Sequence, residues 1–160
     1  MRVNRLEVVV ADQCLHHYRN DSLCRSYPVS TAAKGLGEQR DSEQTPRGMH
    51  QIRAKIGGGE PADTVFRARR PIGLYQDLRQ TAPADTDWIL TRILWLSGLE
   101  VGKNRLGSVD TMSRYIYIHA TPYPIDGVPQ SKGCVRMRSD DLLQLFDQVQ
   151  VHDHVWIRDH

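Results

Sequence analysis

No run in this sequence is long and apolar enough to cross a bilayer as a helix. Near the start there are only three consecutive valines, Val8 to Val10, soon followed by Asp12 and Gln13. A secretory leader needs a longer apolar core and a small-residue cleavage site, so if Met1 is the true start the chain is expected in the cytoplasm. Cysteine is scarce as well. Cys14, Cys24 and Cys134 are an odd set of three, which argues for free thiols and against a disulfide framework. Charge of one sign is missing too: the formal net charge is +2, and the densest basic group, Arg67, Arg69 and Arg70, is short. Nucleic acid is therefore not an expected partner. There is no internal repeat and no low-complexity tract. With 39% hydrophobic and 25% charged residues, the chain reads as one globular domain, residues 1–160, with a single core.

What is present is mostly strand signal. "RLEVVVADQCLHHY" (Arg5 to Tyr18) reads as two short strands with a turn near Asp12. "RSYPVS" is a further extended piece whose proline suits an edge. Thr31 to Arg47 is polar and longer than a usual connection, which makes it a candidate lid. "TPRG" is a turn. "MHQIRAKIGGG" alternates, with Ile52, Ala54 and Ile56 on one face. "WILTRILWLSG" (Trp88 to Gly98) fits a helix face, but its bounds and its isoleucines favour a strand buried on both sides. In "RYIYIHA", Ile116 and Ile118 share one face and Tyr115, Tyr117 and His119 the other, so His119 lies near a strand end. "RSDDLLQLFDQVQ" is the one firm helix, with Ser139 as its expected N-cap and Asp140 and Asp141 in the first turn. "HVWIRD" reads as a closing strand. Trp88, Trp95 and Trp156 are expected in the core.

Two constellations carry possible chemistry. "CLHHYRNDSLC" (Cys14 to Cys24) offers two thiols and two imidazoles, but the intervals do not match a zinc finger, and no metal is expected. The other joins His119 to "SKGCVRM" (Ser131 to Met137). A thiol becomes a nucleophile only when a base or a positive field draws off its proton, and a strand-end histidine can be that base. The connection "ATPYPIDGVPQSKG" holds three prolines and two glycines, so it is a shaped loop, and Ala120 to Gln130 is a second candidate lid. Gly133 lets backbone approach closely, and the amides around Gly133 and Cys134 are candidate oxyanion donors. On spacing alone, an inert buried cysteine with an unrelated histidine stays open.

The segment "YIYIHA…GVPQSKGCVRMRSDDLLQLFDQV…VWI" resembles the L,D-transpeptidase catalytic domain (YkuD-type). That family shows a strand ending in His-Gly-Thr or His-Ala/Ser, a loop, Ser/Thr-His/Lys-Gly-Cys, Ile/Val-Arg-Met/Leu and a helix. Weaker likeness extends to Gln13–Tyr18, "YPVSTA" and "TPRGMHQI". The resemblance implies a mainly β, mixed β-sandwich fold with one helix after the Cys motif. It implies Cys134 as nucleophile, His119 as base, Gly133 in the catalytic segment, and Arg136, Ser131, Lys132 and Tyr117 near substrate. Arg136 would meet a substrate carboxylate or order the site; the bland alternative is a salt bridge to Asp140 or Asp141. Lys132 stands where many members have a second histidine. Ser139 stands where asparagine is frequent, and the Ala120 carbonyl is expected to orient His119. No cofactor is implied. The implied partners are peptidoglycan stem peptides or muropeptides, with no membrane association and with a carbapenem adduct on Cys134 possible. The implied activity is cleavage of the bond between an L-centred diamino acid and D-alanine through a thioester, as a cytoplasmic L,D-carboxypeptidase in murein recycling. The alternative is a periplasmic L,D-transpeptidase with a truncated start.

Overall fold

A computed structural model of the chain describes residues 3–160. Strands β1 (Asn4–Val9), β2 (Cys14–Arg19) and β3 (Ser22–Pro28) open the fold. Then come β4 (Gly48–Ile56), β5 (Thr64–Arg67), β6 (Arg70–Leu74), the single-turn helix α1 (Tyr75–Leu78) and β7 (Leu90–Gly98). β8 (Tyr117–Ala120), β9 (Val135–Met137), helix α2 (Ser139–Gln148) and β10 (His154–Arg158) close it. Among the described residues the ten strands form one mixed hydrogen-bonded sheet in the order β3-β2-β1-β10-β4-β7-β5-β6, with β8 branching from β7 and β9 from β8. The mainly β reading with one substantial helix after the Cys segment is thus borne out.

β7 is the hub, pairing with β4, β5 and β8, and it is buried along most of its length. That is why its residues read as a near-continuous apolar run. Helix α2 presents Leu142, Leu145 and Phe146 and packs on β7 and β8. With Leu94, Leu96, Ile118, Val135 and Met137 these side chains form the main core, each Leu or Ile contributing roughly 1.5–3 kcal/mol by its removal from water. The helix thereby fixes β8 and β9, the two strands that carry the motif residues.

Several local expectations are corrected. Helix α2 is capped at Arg138 without a side-chain hydrogen bond, and the Ser139 hydroxyl bonds Thr91 Oγ1 instead (2.9 Å). Alternation along β4 holds as far as Ile52 and then breaks at a register shift between Ile52 and Ala54, because a bulge inserts one unpaired residue. β8 starts at Tyr117, not Arg114, since Tyr115 adopts a left-handed backbone (φ 56°). Trp156 is half-exposed under the Arg158 guanidinium rather than in the core. Thr31 to Arg47 is no free lid. Bridges tie Ser30 to Arg136, Ala32 to Ser131 and Leu36 to Thr45, while Arg114 donates to the carbonyls of Gly37, Glu38 and Gln44 and to Ser42 Oγ.

Candidate active site

The site follows from the register of β8 and β9. These strands run parallel, with Ile118 opposite Val135 and His119 opposite Arg136. Partners in a parallel pair point to the same face, and faces alternate along each strand. Ile118 and Val135 point into the helix-covered core. His119 and Arg136 therefore point the other way, as do Tyr117 and Cys134, each two residues earlier. The Tyr117 N–H donates to Cys134 Sγ (3.3 Å), and the thiol donates to the Tyr115 carbonyl (3.5 Å). A second, smaller apolar cluster of Phe66, Ile93 and Tyr117 packs against Cys134.

Histidine protonation is decided by one contact. His119 Nδ1 lies 2.8 Å from the Ala120 carbonyl oxygen, which can only accept, so Nδ1 carries the proton and Nε2 is left with its lone pair. The Ala120 carbonyl orients His119 as expected from the sequence. Burial pushes the Cys134 thiol up to about 12, partly opposed by the Tyr117 N–H. Burial likewise holds His119 below its ordinary value, against the Ala120 hydrogen bond. Both shifts disfavour charge, so at rest the thiol and the imidazole are each neutral, and thiol activation needs proton transfer coupled to attack.

Other motif residues hold the nucleophile's backbone. Ser131 is buried; its hydroxyl donates to the Cys134 carbonyl (2.5 Å) and accepts from the Gly133 N–H (3.1 Å). Thr45 Oγ1 donates to the Gly133 carbonyl (2.9 Å). Gly133 has φ 130°, and a Cβ there would stand 3.1 Å from Ile116 Cδ1 and 3.3 Å from the Gln44 carbonyl oxygen, so only glycine fits. Two expectations are corrected here. Ser131 acts as a staple and does not face substrate, and the Gly133 amide is already committed. The Cys134 N–H has no protein acceptor among the described residues and is left as the candidate oxyanion donor.

Arg136 is buried and pairs with Asp87 (2.7 Å), not with Asp140 or Asp141 at the helix start. The pair ties the buried Arg136 guanidinium to the half-exposed Asp87 carboxylate and orders this side of the site. The Asp87 charge acts on both Cys134 and His119. The Tyr117 hydroxyl accepts from Arg69 Nη1 (3.0 Å), and the Arg69 guanidinium lies over the rings of Trp95 and Tyr115. This brings the β5–β6 hairpin tip, Ala68 and Arg69, to one wall of a cleft of about 450 Å³ that also holds Asp87, Lys132 and Cys134.

Asp87, Arg69 and Arg114 are the site neighbours the sequence left unmarked. The hairpin tip turns through left-handed Ala68 and Arg69 (φ 47° and 65°) without the Asn or Gly that normally signals such a turn. In the N-terminal constellation, His16 Nδ1 bonds Ser26 Oγ (2.7 Å) and His17 Nε2 bonds Asn4 Oδ1 (2.8 Å). No group of three or more His, Cys, Asp or Glu side chains converges on a metal position among the described residues.

The model of the L,D-transpeptidase catalytic domain (YkuD) matches residues 4–157. The chain belongs to the L,D-transpeptidase catalytic-domain family. Its fold is similar to that of L,D-transpeptidase 3 from Mycobacterium tuberculosis in complex with a faropenem-derived adduct, with a TM-score of 0.60 and 13% identity over 99% of this chain and 61% of that one. An L,D-transpeptidase from Mycobacterium smegmatis gives 0.57 and 16% over 98% and 59%. The L,D-transpeptidase LdtMt1 in complex with imipenem gives 0.58 and 16% over 98% and 59%. The domain thus spans about three fifths of the length of these chains. No curated protein matches the sequence.

Proposed function

We propose that the domain cleaves the bond between the L-centre of a diamino acid and the terminal D-alanine of a peptidoglycan stem tetrapeptide, through a thioester on Cys134. The observation that carries this reading is the shared strand face of Cys134 and His119, with the His119 proton fixed on Nδ1. Nε2 takes the thiol proton as sulfur attacks the carbonyl carbon. The oxyanion forms against the Cys134 N–H. Collapse breaks the C–N bond, and the imidazolium returns its proton to the departing D-alanine amine, leaving the thioester. In the second half an acceptor loses a proton to His119 and attacks the thioester, and the thiol is regenerated.

With water as acceptor the product is a tripeptide, the work of an L,D-carboxypeptidase in murein recycling; for this branch we propose a cytoplasmic protein. The second reading is crosslinking with the side-chain amine of another stem as acceptor, in the periplasm. It is favoured by a second cleft of about 360 Å³ holding Asp87, Lys132 and Arg136, which adjoins the Cys134 cleft and gives an acceptor room. Masses after incubation with a disaccharide tetrapeptide separate the two: loss of one alanine supports hydrolysis, and 3–3 linked dimers support crosslinking. Export of a C-terminal fusion reporter would refute the cytoplasmic assignment.

A further inference from the structure

Four cationic side chains surround the nucleophile, and three of them are already in use. Arg136 is paired with Asp87. Arg114 holds the 37–44 segment through its guanidinium. Arg69 is stacked on Trp95 and Tyr115 and bonded to the Tyr117 hydroxyl. Lys132 is exposed, and among the described residues no side chain or carbonyl holds its ammonium.

Lys132 also occupies a junction. It borders the cleft that contains Cys134 and two flanking clefts of about 330 and 360 Å³. Its backbone is rigid despite the exposure: the Ser131 N–H donates to the Thr31 carbonyl, and Gly133 is pinned at both its N–H and its carbonyl. The charged residues around the Cys134 cleft are Arg69, Arg114, Lys132 and Asp87, and Asp87 is neutralised by Arg136. The cleft is therefore cationic, and its one uncommitted cation is two residues from the nucleophile.

Building on the acyl-transfer reading above, we propose that Lys132 determines specificity by ion-pairing the free C-terminal carboxylate of the donor stem, the carboxylate of the residue that leaves. The length scales agree. That carboxylate lies one residue beyond the scissile carbonyl, about 3.8 Å between Cα atoms, and Lys132 is two residues from Cys134. The charges placed to act on Cys134 are those of Asp87, Arg136 and Arg114. An ammonium–carboxylate contact is a charge-assisted hydrogen bond, whereas a carboxamide in its place offers only a neutral acceptor and loses the Coulombic part.

The test compares two donors, a disaccharide tetrapeptide ending in a free carboxylate and the same compound ending in a carboxamide. kcat/KM is measured for each with the unaltered chain, Lys132→Met and Lys132→Arg. The unaltered chain should prefer the acid by about tenfold, a differential contact of about 1.4 kcal/mol. Lys132→Met should bring the two donors to within about twofold of each other, with the larger loss on the acid, and Lys132→Arg should keep the preference. A Lys132→Met ratio equal to that of the unaltered chain overturns the inference. So does an equal loss on both donors, which would mark Lys132 as a stabiliser of the reacting carbonyl. Turnover of neither donor by the unaltered chain would refute the acyl-transfer reading itself, and this inference with it.

Discussion

Among the described residues, a thiol and an imidazole share a strand face at Cys14 and His16 and again at Cys134 and His119, and the two surroundings differ. Cys14 Sγ lies 3.9 Å from His16 Nδ1, on adjacent same-face positions of β2 near the sheet edge. Its thiol is pushed up by burial and then by the Asp12 charge, His16 is occupied by Ser26, and no nearby cation offsets Asp12. Cys134 also has a raised thiol, but around it the fold supplies what Cys14 lacks. Both sulfurs accept a backbone N–H, but at Cys134 the Ala120 carbonyl fixes the tautomer of His119, Arg136 and Arg114 place positive charge nearby, and a cleft opens beside the thiol. A sulfur and an imidazole on one strand face are thus not sufficient. The orientation of the base and the surrounding charge make the difference.

The largest expected contrast is between the two cysteines. Cys134→Ala should lower turnover of the tetrapeptide on the order of 10⁴- to 10⁶-fold, while Cys14→Ala should leave it within about twofold; equal effects would erase the distinction. Next, His119→Ala should cost about 10²- to 10⁴-fold in kcat, with His16→Ala close to neutral. Because His119 titrates below its ordinary value, the acid limb of kcat/KM should have its midpoint below about 6.5. A midpoint above that value would place a charged partner on the imidazole.

A third imidazole sharpens the same contrast through stability. His50 is fully buried between the Gly48 carbonyl and Thr111 Oγ1, and burial lowers it to about 4. The unfolded chain binds this proton below about pH 6.5 and the folded chain does not. Stability is therefore full above that pH and falls as pH drops towards 4, by about 3 kcal/mol in all. Thermal melts of His50→Gln should show a flatter acid limb with kcat retained; an unchanged limb would assign the acid sensitivity to other groups. The smallest effect expected is that of Arg136→Met. Breaking a buried pair costs ~3–5 kcal/mol, and the partial exposure of Asp87 (39%) reduces this to about 1–2 kcal/mol. Adding Asp87→Asn should recover part of the loss in denaturant titrations. No recovery would mean that the two side chains act independently.

Much of this architecture was legible from local pattern. The valine-rich start reads as strand from its β-branched content, Trp88–Gly98 from its near-continuous apolar run, and Leu142–Val149 as helix from its apolar spacing, and burial bears out each. His119 and Cys134 were singled out through the resemblance of their motif; spacing alone left an inert cysteine and an unrelated histidine open, and the parallel pairing of β8 and β9 is what sets their segments side by side. What escaped reading depends on partners far apart in sequence. Asp87 meets Arg136 across 49 positions, and nothing local marks an aspartate in a polar loop as the counter-ion of a buried arginine. Arg69 reaches Tyr117 across 48 positions from a hairpin whose turn residues break the usual rule. Ser131 and Gly133 were marked as site residues, but the parts they take depend on hydrogen bonds that only the folded loop defines.

The central claim is that Cys134 carries the acyl group. Brief incubation with the disaccharide tetrapeptide, acid quenching and peptide mass mapping test it directly. The account predicts a tripeptide-sized adduct on the peptide containing Cys134, absent in Cys134→Ala and slower to form in His119→Gln, whose carboxamide cannot take the thiol proton. An adduct on Cys14 or Cys24, or continued turnover by Cys134→Ala, would contradict it.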